Sequence, residues 1–158
     1  MSSKKTLSVD KEVPDFTADS TAGKFRLSEH RGKSIVLYFY PKDNTPGCTM
    51  ESNDFAAASK RFEKAGASII GVSRDSLASH EKFRAKFELP FVLLSDPEEK
   101  LCTLFGVMKQ KNMYGKMVYG IERSTFLIDA KGVLRQEWRG VKVPGHVDAV
   151  YEAVVENK

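Results

Sequence analysis

At 158 residues, with 41% hydrophobic and 29% charged side chains, the chain has the size and balance of one globular domain that buries a real core. No apolar run approaches the roughly 20 residues needed to span a bilayer. The opening Met-Ser-Ser-Lys-Lys-Thr-Leu-Ser also lacks the apolar stretch of a secretory signal, so a cytoplasmic location is expected. Two cysteines, Cys48 and Cys102, are too few for a disulfide framework, and they form no C-x-x-C pair. Three widely separated histidines, His30, His80 and His146, argue against structural zinc, and neither a metal nor another cofactor is expected.

The net charge of +4 is unevenly spread: Lys109 to Lys142 holds eight basic residues against three acidic ones. The aromatics there, Tyr114, Tyr119, Phe126 and Trp138, form no evident stacking platform. A solvated basic surface is therefore favoured over a nucleic-acid site.

No repeat, low-complexity tract or linker divides the chain, which is read as a single domain over 1–158. Lys24-Phe-Arg-Leu27 is a candidate edge strand, and Ser34-Ile-Val-Leu-Tyr-Phe-Tyr40 reads as a buried strand. Thr45 followed by Pro46 resembles a helix N-cap with proline at the first helical position. Cys48, Glu51, Phe55, Ala58 and Phe62 then share one helical face, and that helix should end near Gly66. Ala67-Ser-Ile-Ile-Gly-Val-Ser73 is a second buried strand. Ser76 or Ser79 caps a helix carrying His80 as a solvated residue and Phe83 and Phe87 on one side, ended by Pro90. Phe91 to Leu94 predicts a third strand and Pro97 to Phe105 a short helix. Ser124 to Asp129 and Val133 to Trp138 flank a turn at Asp129-Ala-Lys-Gly132. His146 to Val155 closes the chain as a helix. The order β-α-β-α-β-α-β-β-α predicts an α/β fold, a mixed sheet flanked by helices on both faces.

Cys48 stands where the strand ending at Tyr40 passes into a helix. Unpaired N–H groups in a first helical turn favour the thiolate form, which is the nucleophile. Thr45, three residues earlier, can bring a hydroxyl to the sulfur, and Pro41, lacking an N–H, can shield it from water. Together they form P-x-x-x-T-x-x-C.

Tyr38-Phe-Tyr-Pro-Lys followed by Thr45-Pro-Gly-Cys-Thr49 resembles the active-site signature of the peroxiredoxins, in the form of the bacterioferritin comigratory protein (PrxQ) subfamily. Val13-Pro-Asp-Phe16 is similar to the family's N-terminal segment, and Gly120 to Asp129 to its arginine-bearing strand, so the resemblance covers nearly the whole chain. It implies a thioredoxin-like fold and a thiol peroxidase acting on hydrogen peroxide or organic hydroperoxides in antioxidant defence. By that resemblance Cys48 is the peroxidatic cysteine, Thr45 orients the peroxide, Pro41 shields the thiolate and Arg123 stabilises the developing charge. The N–H groups of Gly47 and Cys48 help hold the peroxide oxygens, and Glu51 orients Arg123. Thioredoxin, glutaredoxin or a small thiol would be the reductant, and the subfamily resemblance points to a monomer.

The recycling step departs from the family pattern. Many relatives carry a resolving cysteine five positions after the peroxidatic one, where this chain has Asn53. Others carry it in the next helix, where Arg84 stands. Two readings stay open: direct reduction of a Cys48 sulfenic acid by an external thiol (1-Cys type), which is preferred, or resolution by Cys102 within the chain. A thiol–disulfide oxidoreductase and a nucleic-acid-binding module are weaker alternatives.

Overall fold

The computed structural model describes residues 7–157; residues 1–6 of the opening segment, and Lys158, lie outside the described residues. In chain order the strands are β1 (Thr17–Ser20), β2 (Gly23–Arg26), β3 (Ser34–Phe39), β4 (Ala67–Ser73), β5 (Leu93–Ser95), β6 (Met108–Met113), β7 (Lys116–Ile121), β8 (Ser124–Ile128) and β9 (Leu134–Arg139). The helices are α1 (Pro46–Lys64), α2 (Leu77–Lys86), α3 (Lys100–Leu104) and α4 (His146–Glu156), with a short 3-10 turn at Leu27–His30.

Seven strands form one mixed sheet in the order β2-β1-β5-β4-β3-β8-β9, while, among the described residues, β6 and β7 pair only with each other. β3 runs parallel to β4 and antiparallel to β8, and its unbroken apolar sequence suits a strand covered on both faces. Val36, Tyr38 and Tyr40 point into one core with Cys48, Phe55 and Phe62 of α1, Phe83 of α2 and Val150 of α4. Ile35, Leu37 and Phe39 point into the other, with Leu27, Leu101 and Cys102. Helices thus cover both faces, as expected, but three of the four crowd one side.

The edge strand expected at Lys24–Leu27 is β2, and its partner β1 was not foreseen. Strand β5 starts two residues later than expected. Helix α3 begins at Lys100 rather than Pro97, because Glu99 takes a left-handed conformation (φ 63°). Asp96 then accepts from the backbone N–H groups of Leu101 (3.1 Å) and Cys102 (2.8 Å), which marks where the helix starts. Ser76, not Ser79, caps α2, accepting from Ser79 N at 3.2 Å.

The sheet leaves no room at Gly71 of β4, opposite Tyr38 in the β3–β4 register. A Cβ there would lie 2.8 Å from Leu93 Cδ2 and 2.9 Å from the Tyr38 ring. Gly71→Ala is therefore expected to lower stability by about 1–3 kcal/mol. Denaturant unfolding checks this; an unchanged midpoint would refute the close packing.

Candidate active site

Strand β3 and helix α1 set the cysteine's position. Tyr40 N still bonds Val72 O (3.0 Å), continuing the β3–β4 ladder, and the chain then loops through Pro41–Thr45 into α1. Thr45 is the N-cap, with extended backbone (φ −94°, ψ 156°), and Pro46 opens the helix where a missing N–H costs nothing. Its hydroxyl does not cap the helix: Oγ1 donates to the carbonyl of Lys42 at 2.9 Å. The Thr45 hydrogen is thereby committed to the loop, which leaves the oxygen's lone pairs as its free function. Pro41 sits half-buried in the same loop.

Cys48, in the first turn of α1, retains only 1% of its surface. One helical turn on, Glu51 is fully buried on the same face. The guanidinium of Arg123, in the short break between β7 and β8, reaches both. Nη1 donates to Glu51 Oε1 at 2.7 Å, and Nη2 lies 3.4 Å from Cys48 Sγ. Gly47 makes room for this approach, since a Cβ there would stand 3.1 Å from Arg123 Nη2. This steric demand on Gly47 was not read from the sequence, because it depends on a residue far along the chain.

The electrostatics follow from burial. Glu51 is pushed up to about 7: loss of solvent opposes its charge, and Arg123 offsets this only in part. Its Oε2 has no hydrogen-bond partner among the described residues. Burial works against the charge on Arg123 too, but Glu51 and Cys48 outweigh it and hold the guanidinium more firmly protonated than usual. Lys111 of β6 donates from Nζ to the carbonyl of Ile121, two residues before Arg123, a second cation near the site for which the sequence gives no signal; burial first and Arg123 next depress it. His146 is pulled down to about 4 by burial and by Arg123, and its Nε2 lies 2.8 Å from Thr125 Oγ1.

Cys102 lies elsewhere. It is fully buried in the second core, across the sheet from the core that holds Cys48. Burial and the neighbouring Asp96 carboxylate push its thiol well above the ordinary range, which makes it a poor nucleophile.

The expectation for His80 is overturned: the ring is fully buried. Nδ1 lies 2.7 Å from Asp43 Oδ2 and Nε2 2.8 Å from the carbonyl of Leu94. Its spacing from Phe83 places both on the inner face of α2. Asp43, Asp75 and His80 form a cluster with metal-ligand chemistry, their nearest ligand atoms within 4.8 Å. Those atoms are already engaged: Asp75 Oδ2 accepts from Ser73 Oγ (2.6 Å) and Asp43 N (2.8 Å).

The mixed sheet with helices on both faces is a thioredoxin-like fold, and on it a buried cysteine lies against a guanidinium. Comparison with known proteins narrows the class. A sequence profile described as the AhpC/TSA family matches residues 9–137. The peroxiredoxin Bcp of Xanthomonas campestris is 58% identical over 90% of this chain and 92% of its own. That of Bacillus subtilis is 51% identical over 90% and 91%. Among solved structures, the Xanthomonas campestris bacterioferritin comigratory protein, described for its alkyl peroxide reduction activity, superposes with a TM-score of 0.88. It is 50% identical, over 96% of this chain and all of that one. A Xylella fastidiosa PrxQ variant gives a TM-score of 0.89 at 39% identity, over 96% and 97%. The chain belongs to the AhpC/TSA family, as a peroxiredoxin of the Bcp/PrxQ type. It is a thiol-dependent peroxidase, with a peroxide as substrate and a thiol as reductant. No described helix is long and apolar enough to cross a membrane.

Proposed function

We propose that Cys48 is the peroxidatic residue and that its oxidised form is reduced directly by an external thiol. The observation that carries the first part is the guanidinium of Arg123 spanning Glu51 and Cys48 Sγ. The Cys48 thiolate attacks the terminal peroxide oxygen, forming an S–O bond as the O–O bond breaks. The oxygen that leaves takes up a proton and departs as water or an alcohol, and the sulfur is left as a sulfenic acid. Arg123 faces the thiolate at the start and the charge spread over the breaking bond later. Thr45 Oγ1, donating to Lys42, presents lone pairs to the peroxide hydroxyl. The Gly47 and Cys48 N–H groups, free of helix partners in the first turn, donate to the peroxide oxygens. Pro41 limits water at the loop. Glu51 fixes the plane of the guanidinium.

The alkyl peroxide activity named for the Xanthomonas relative supports organic hydroperoxides, alongside hydrogen peroxide, as substrates here. For the second part, the support is the separation of the two cysteines into cores on opposite faces of the sheet. A disulfide needs Cα atoms within about 7 Å, and the sheet stands between these cores. An incoming thiol instead displaces water from the sulfenic acid, giving a mixed disulfide. A second thiol then releases Cys48 with oxidation of the reductant to its disulfide. Thioredoxin, glutaredoxin or a small thiol fits this role.

Intact-mass measurement after one equivalent of peroxide tests the proposal. A dimedone-type adduct on Cys48 is expected, and Cys102→Ser should keep most of the peroxidase activity. A loss of two hydrogens within one chain, absent from Cys102→Ser, would overturn direct recycling and leave the peroxide step standing.

A further inference from the structure

The loop that carries Pro41 and Thr45 has a buried anchor on a neighbouring helix. Asp43, in the middle of that loop, turns inward and is almost fully buried. Its carboxylate is surrounded by donors: Tyr40 OH (2.6 Å) on Oδ1, and Ser79 Oγ (2.8 Å) and His80 Nδ1 (2.7 Å) on Oδ2. His80 is held from its other side by the carbonyl of Leu94 on β5. At the surface, Lys86 Nζ reaches Asn44 Oδ1 at 3.2 Å, joining the same loop to the same helix. Neither Asp43 nor His80 touches Cys48, Glu51 or Arg123 through any hydrogen bond among the described residues, so the reaction described above does not use them.

We propose that Asp43 and His80 are positioning residues, a latch that ties the active-site loop to α2 and sets Thr45 and Cys48 for the peroxide step. The inference rests on the reading of Cys48 as the peroxide-reactive thiol. The hydrogen bond spans 37 residues of sequence and connects the loop to a helix packed on the sheet, so it constrains the loop more than any bond within the loop does. With Cys48 at 1% exposure, a thiol reductant bulkier than the peroxide tip reaches the sulfur only when the loop and first turn of α1 move. The latch opposes that movement. It favours the oxidising step and restrains the reducing one.

Two substitutions of His80 separate positioning from mere packing. In His80→Asn the amide N–H lies where Nδ1 is and keeps the bond to Asp43. In His80→Gln the amide reaches the Nε2 position, keeping the Leu94 bond and losing Asp43. Stopped-flow rates of Cys48 oxidation by hydrogen peroxide, and of sulfenic acid reduction by dithiothreitol, are measured separately, with thermal stability alongside. The oxidation rate is expected to fall about 10-fold in His80→Gln and to stay within about 3-fold of the parent in His80→Asn. The reduction rate should not fall in either. Asp43→Asn, which sets an amide against a shell of donors, should resemble His80→Gln. Oxidation rates that track thermal stability instead of the retained bond, or that equal the parent in all three variants, would overturn the latch. Failure of the Cys48 reading is detected separately, by peroxidase activity surviving in Cys48→Ser.

Discussion

Replacing Cys48 by serine is expected to abolish peroxide turnover, by at least about 10³-fold, while leaving the fold intact. The substitution exchanges sulfur for oxygen in a site that is already closed, at 1% exposure, so packing changes little. Chemistry changes entirely. Sulfur is the more polarisable and stronger nucleophile, and a thiol ionises far more readily than a serine hydroxyl, which needs a general base to take its proton. Arg123 supplies positive charge at 3.4 Å but accepts nothing. Steady-state consumption of hydrogen peroxide with a thiol reductant measures the effect, and circular dichroism confirms the fold. Activity within 10-fold of the parent would sink the mechanism, and Cys102→Ser run in parallel shows that the loss belongs to one thiol.

The second large effect belongs to Arg123. Arg123→Ala is expected to reduce the rate of Cys48 oxidation about 10²–10³-fold, the usual consequence of deleting a buried donor that faces developing charge. It should also destabilise the protein by about 3 kcal/mol, because Glu51 is left buried without its partner. The two losses have different origins, and a double variant divides them. In Arg123→Ala with Glu51→Gln, no carboxylate remains to be buried, so stability should recover while the oxidation rate stays low. Arg123→Lys keeps the charge but lacks a fork that spans Glu51 and Cys48 together, and it should restore stability better than rate. Recovery of the rate in the double variant would mean that Arg123 acts only by neutralising Glu51.

Much of this site was legible because its signals are local. Thr45, Pro46 and Cys48 are close in sequence, and strand-to-helix chemistry is written in the change from an apolar run to spaced apolar positions. Glu51 and Arg123 are separated by 72 residues, and their pairing came from family resemblance, not from periodicity. His80 reads as solvated from the sequence for a related reason. A histidine beside charged neighbours in a helix of mixed polarity looks solvated, and only Asp43 and Leu94, brought in by the fold, satisfy it in the interior. The hairpin of β6 and β7 escaped notice because its residues are mostly exposed and show no alternation toward a core. Strand β1, at four residues, is too short to declare a period.

That hairpin stands apart from the main sheet, yet the chain leaving it delivers Arg123 within two residues. The joint is pinned on both sides: Glu122 N bonds the carbonyl of Val107 at 2.7 Å, and the Arg123 carbonyl accepts from Val141 N at 3.0 Å. Ile121, at the base, is fully buried. Lys111 aside, whose charge couples to Arg123, movement or redesign of the arm is therefore absorbed before it displaces the guanidinium. Beyond Lys111, the enzyme carries an outer segment whose sequence can drift, lengthen or acquire new contacts while the chemistry behind it keeps its alignment.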